Sequence, residues 1–192
     1  MHAKRLLAST LLGACLLSAC VVAAPSTAEA AHVGRHSAAP SPLTRADSAQ
    51  DGASWLAGQL TSGGYIPSPT TPGQADLSAT ANAVLALASA GARDAAMRAL
   101  VYLEGQVDNY VAVDGADGPG QLALLILDAH SLGVNPYSFA GTDLVSRLLA
   151  TERTSGTDAG LFGVQDPTYN GAYRQGLSLA ALASVGVVGE GM

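Results

Sequence analysis

A five-residue pattern recurs along this chain at a nearly fixed interval. Trp55-Leu56-Ala57-Gly58-Gln59, followed by Gly63-Gly64-Tyr65, returns forty-seven residues later as Tyr102-Leu103-Glu104-Gly105-Gln106. A worn third copy, Leu148-Leu149-Ala150-Thr151-Glu152, leads into Gly160-Leu161-Phe162-Gly163. After each copy a Gly-rich turn opens a run of small apolar residues that stops at Gly91, Gly133 and Gly186. Repetition at a period between about 20 and 50 residues is the mark of a repeat architecture, and it constrains the fold more than any local propensity.

The repeats begin only after an N-terminal segment of different character. Lys4 and Arg5 form a short basic region, and Leu6 to Ala24 is apolar or small throughout, with Ser and Thr its polar members. Ala28-Glu29-Ala30 supplies the small-x-small pattern of a cleaved export signal, so residues 1–30 read as a signal peptide and the product as secreted. Leu17-Ser18-Ala19-Cys20 also fits a lipobox. In that alternative Cys20 is acylated and the protein is anchored by lipid at the outer face of the membrane. Cys15 and Cys20 are the only cysteines. A secreted mature chain therefore has no thiolate and no disulfide, and its stability must come from an apolar core. Without residues 1–30 the chain keeps seven arginines and no lysine against fourteen carboxylates, a formal charge of −7. That acidic surface, with no basic cluster, argues against nucleic acid as a partner. Residues 31–50, rich in Ala, Ser, Pro and Thr, read as a disordered linker.

From Asp51 onward the pattern predicts helical hairpins in three repeats, approximately 51–91, 93–133 and 142–186. In the first, Trp55, Leu56 and Leu60 share a helical face over Ala53–Thr61, and Pro67, Pro69 and Pro72 mark a loop. Asp76 stands at the N-cap of an apolar helix that runs from Leu77 to Ala88 and reads as buried on every side. In the second, Arg93 to Val111 is one amphipathic helix. Asp117-Gly118-Pro119-Gly120 is a turn, and Gln121 to Leu132 is a second buried helix. In the third, Thr142 to Glu152 is amphipathic and Asn170 to Val185 is the last small-residue helix. Short connections make each pair antiparallel. The fold class is all-α, in which outer amphipathic and inner apolar helices alternate.

Gln59-x-x-x-Gly63-x-Tyr65, preceded by Trp55-Leu56, resembles the repeat motif of the squalene cyclase and prenyltransferase superfamily, with Tyr in place of the usual Trp. Asp76-Leu77-Ser78-Ala79-Thr80-Ala81 and the following Leu85-Ala86-Leu87 resemble its inner helix. The resemblance covers residues 51–188 and implies an α/α toroid. Such a toroid closes with about six hairpins, so three make an incomplete ring, and the end at Val185–Met192 carries no polar cap. A truncated product, a split gene or self-association to complete the ring would each account for this. The motif's own role is structural: the Gln amide serves free backbone groups at a helix end, and the aromatic ring packs over the turn.

The chemistry of the related enzymes finds little support in these residues. Their protonating members use an Asp-x-Asp-Asp cluster, for which Asp114-Gly115-Ala116-Asp117 is the nearest and reads as a solvated turn. Their zinc-dependent members use Asp, Cys and His, and no mature cysteine exists. His130 with Asp128 or Asp117 would be the remaining route to a metal, and no metal or cofactor is expected. Aromatic residues make up 5% of the chain, too few to line a pocket for carbocations. The sequence thus predicts an exported, non-catalytic protein that binds a small ligand or cell-surface partner. Its contacts would lie at the inner-helix entrances: Tyr65, Asp76, Asp117, Tyr169, Asn170, Tyr173 and Gln175. A terpene cyclase or prenyltransferase-like enzyme acting on an isoprenoid, and a structural surface protein, are the alternatives.

Overall fold

The computed structural model describes residues 44–164 and 171–187, all within the unit that starts at Pro42. Seven helices dominate them: α1 (Arg45–Gln59), α2 (Leu77–Ser89), α3 (Arg93–Glu104), α4 (Val107–Val111), α5 (Pro119–Leu132), α6 (Leu144–Ala150) and α7 (Ala172–Ser184). Between α4 and α5 a two-residue hairpin pairs β1 (Ala112–Val113) with β2 (Ala116–Asp117), and a 3-10 turn spans Pro136–Ser138. The hairpin turns at Asp114 and Gly115, both at positive φ (50° and 83°), the geometry that Asp-Gly favours. The class is all-α, as the repeat pattern predicts.

The hub is α5. It packs between α2 and α7, and α3, α4 and α6 also lie against it, while α1 rests on α2. Leu122, Ala123, Leu125, Ile126 and Ala129 of α5 are fully buried, and the core continues through Val84, Leu87, Leu100, Leu103, Phe139, Leu144 and Leu148. Full burial of a Leu or Phe side chain contributes roughly 1.5–3 kcal/mol, so this contiguous cluster is the main stabilising term in a domain without disulfides.

The repeat is most visible at the C-terminal ends of α2, α5 and α7. Gly91, Gly133 and Gly186 each take positive φ (79°, 72° and 78°). The next residue's N–H then reaches back five residues: Ala92 to the Leu87 carbonyl, Val134 to Ala129, Val187 to Leu182, at 2.8, 2.8 and 2.9 Å. This Schellman closure satisfies carbonyls that the helix end would leave free. The three glycines that punctuate the sequence thus perform one job three times.

Two boundaries and two burial patterns differ from the sequence reading. Residues 45–50, assigned to the linker, are the first turns of α1, because Thr44 caps the helix in a reciprocal capping box with Asp47 (Asp47 N to Thr44 Oγ1 3.2 Å, Thr44 N to Asp47 Oδ2 2.9 Å). The helix predicted as continuous from Arg93 to Val111 breaks at Gly105 into α3 and α4. The amphipathic face predicted for the first helix is only partly used, since Leu56 and Leu60 are half-buried but Trp55 is 66% exposed. And α2 is not buried all round: Ser78, Asn82, Ala86 and Ser89 form an exposed stripe along it.

Within the recurring motif, Gln59 Nε2 donates to the Trp55 carbonyl of its own helix at 3.4 Å. Tyr65 lies on Tyr102 of the second copy, ring centroids 4.8 Å apart and tilted by 35°. Gly64 makes this approach feasible, since it sits at φ 86° against the Arg98 carbonyl.

Candidate functional site

The exposed stripe of α2 forms one wall of a cleft. Ser78 and Asn82 of α2 face Gly120, Gln121 and Leu124 at the start of α5, and Gly171, Tyr173, Arg174 and Leu177 at the start of α7 close the other side, with Tyr110 of α4 below. The cleft holds about 370 Å³, within the range of about 300–1,000 Å³ usual for small-molecule sites. Its position follows from the fold: Ser78, Gln121 and Tyr173 each stand in the first turn of a helix, and α5 brings those starts together.

The wall is polar but nearly uncharged. Ser78, Asn82 and Gln121 supply neutral donors and acceptors, Leu124 and Leu177 supply apolar surface, and Arg174 is the one ionised side chain among the described residues that line it. Tyr110 is 7% exposed. Burial, and then the proximity of Asp128, push its hydroxyl above the ordinary phenol range, so it stays protonated at neutral pH. Asp128 itself has no exposed surface, and neither carboxylate oxygen has a hydrogen-bond partner among the described residues. Burial pushes its acid up to about 8. It does not line the cleft, so it has no direct path for handing a proton to a molecule bound there.

The residues expected at the inner-helix entrances separate in the structure. Tyr173, 74% exposed, stands at the cleft mouth. Asp76 caps α2, its Oδ1 accepting from Ala79 N at 2.8 Å. Tyr65 is engaged with Tyr102. Gln175 braces the main chain of Phe162, accepting from its N–H at 2.9 Å and donating to its carbonyl at 3.1 Å. Asp117 is held by Arg147 through two bonds of 2.8 and 2.6 Å, which keep its carboxyl below the usual carboxylate range. Tyr169, Asn170 and Cys20 lie outside the described residues. Ser78, Asn82, Tyr110, Gln121 and Arg174 were not singled out from the sequence, although two polar residues one turn apart in the otherwise apolar α2 were a legible signal.

A second depression of about 530 Å³ lies beside Asp117, Arg147 and Arg153. Its charges are already spent internally: Arg147 also reaches Asp108 at 2.8 Å, and Arg153 pairs with Asp158 at 2.9 Å. The bonds of Arg147 tie α6 to α4 and β2, which makes this place a structural joint. Among the described residues no group of three or more His, Cys, Asp or Glu is placed to hold a metal, and no helix is long and apolar enough to cross a membrane. Comparison with protein-family models, with curated proteins and with solved structures gives no match.

Proposed function

We propose that this chain is an exported, non-catalytic member of the toroid-type repeat proteins, and that it binds a small molecule in the cleft between the starts of α2, α5 and α7. In this reading α2, α5 and α7 are inner helices, α1, α3 and α6 are outer ones, and the cleft opens on the inner side of a partial ring. The observation that carries the binding role is the convergence of Asn82, Tyr110, Gln121 and Tyr173, from four different helices, on one cleft. No carboxylate stands among the described residues of the cleft wall, which speaks against acid-initiated cyclisation at this place. Export is supported by Lys4-Arg5, the apolar run after them and Ala28-Glu29-Ala30.

The test is a fragment screen by ligand-observed NMR on the purified chain, with hits re-measured on Gln121→Leu and Asn82→Leu. The expected outcome is a set of hits that loses affinity at least tenfold in both variants. Hits that persist undiminished in both, or that compete for the Asp117–Arg147 depression, would overturn the cleft as the binding site. The intact mass of the exported product checks localisation: it should correspond to a chain starting at Ala31.

A further inference from the structure

Three arginines are partly buried among the described residues: Arg147, Arg153 and Arg174. Arg147 is bound by Asp117 and Asp108, and Arg153 by Asp158. The Arg174 guanidinium forms no ion pair among the described residues, and its Nη1 is buried without an acceptor. A buried donor left unmatched costs more when it is charged than when it is neutral, which is why ionised side chains inside proteins are nearly always paired. The unmatched nitrogen lies beside Gly163 and Pro119, and Arg174 is also part of the cleft wall.

We propose that the cleft selects a small organic monoanion, a carboxylate carried on an apolar body, with Arg174 as its counter-ion. This rests on the reading of the cleft as the ligand site. The wall fits that chemistry on three further counts. Arg174 is its only ionised side chain among the described residues, with no carboxylate beside it to repel an anion. The first turns of α5 and α7 meet there, and neither helix has the side-chain cap that Asp76 gives α2 or Asp143 gives α6. Their leading N–H groups add partial positive charge near the same place. Leu124, Leu177 and the Tyr173 ring offer apolar contact for the body of the ligand.

The single cation also sets the valence. A diphosphate brings two or more negative charges into a chain whose formal net charge is already −6, and one guanidinium does not balance them. A carboxylate matches it one for one, in the two-pronged geometry that guanidinium favours. The volume of about 370 Å³ lies near the lower end of the usual range and suits a compact acid.

The experiment measures binding of phenylacetate and hexanoate to the purified full chain, against phenylacetamide and hexanamide as neutral counterparts. Isothermal titration is run on wild type, Arg174→Gln and Arg174→Lys, with thermal unfolding of each variant to verify folding. The acids should bind at least tenfold tighter than the amides. Arg174→Gln should erase that preference, and Arg174→Lys should keep part of it. Equal binding of acids and amides, unchanged in Arg174→Gln but weakened in Gln121→Leu, would overturn the anion assignment and leave the cleft standing. Acids whose binding ignores both Arg174→Gln and Gln121→Leu would overturn the cleft as well. Failure of all four probes to bind would overturn the anion assignment, and the cleft would then stand or fall by the fragment screen.

Discussion

Between pH 4 and pH 8 the stability of this chain should fall as pH rises, and Asp128→Asn should remove most of that fall. The cause is a carboxylic acid with no exposed surface and no partner among the described residues, on the most buried helix of the fold. Burial raises its acid from an ordinary 3.8 to about 8, so across that window the folded state holds a proton that the unfolded state has released. Stability therefore declines with pH, by on the order of 5 kcal/mol at about 1.4 kcal/mol per tenfold change. Below pH 4 the slope reverses. Asp117, held by Arg147, and the capping residues Asp47 and Asp143 have lowered acids whose stabilisation is lost as they protonate. Urea unfolding at half-unit intervals of pH measures both limbs. The isosteric amide should be more stable than wild type by on the order of 5 kcal/mol at pH 8 and equal to it near pH 4. A wild-type profile that is flat or rising from pH 4 to 8 would show that Asp128 is solvated or paired after all.

Gly64→Ala should be the most damaging single-methyl change in the turns. Gly64 adopts φ 86°, and a Cβ there would stand 2.5 Å from the Arg98 carbonyl oxygen and 3.1 Å from its carbon. The left-handed backbone alone costs an L-residue about 1–2 kcal/mol. The contact is with helix backbone, which has no rotamer to turn away, so α3 and the turn after α1 must separate and the Tyr65–Tyr102 stack with them. A total loss of roughly 3 kcal/mol or more is expected. Gly73→Ala is the built-in comparison, because Gly73 has a similar φ of 82° with nothing within 4 Å of its virtual Cβ. It should lose only the backbone part, about 1–2 kcal/mol. Equal losses for the two variants would mean that the turn yields and that the approach to α3 is loose.

Much of the fold was readable because it is repetitive. Glycines at 91, 133 and 186 close three helices in the same way, and their spacing alone marks out the hairpins along the chain. Asp76 as the cap of α2 and the amphipathic run from Arg93 were legible for the same reason: local backbone chemistry leaves local residue signals. The start of α1 was hidden, since Thr44 and Asp47 stand in an Ala- and Ser-rich stretch whose composition resembles a linker. The exposed stripe of α2 was harder to read: Ser78 and Asn82 mark it, but the alanines around them fit a buried face and a solvent face equally.

The site was the least legible part. Tyr110, Gln121 and Arg174 are separated by up to 64 residues and meet only because α5 lies between α2 and α7. Asp117 and Gln175, which stand at the expected helix entrances, are absorbed by Arg147 and by the Phe162 main chain. No count of residue types along the sequence reveals which polar groups already have partners, and here that distinction separates Arg174 from Arg147.

We propose above that this protein binds its ligand in the cleft at the starts of α2, α5 and α7. Backbone amide NMR on the labelled chain, titrated with the tightest-binding probe from the fragment screen, tests it most directly. Saturable shifts should cluster at Ser78, Asn82, Gly120, Gln121 and Gly171, with the Asp117–Arg147 joint unmoved. Shifts centred on that joint, or on the surface between Ser62 and Val101, would contradict it.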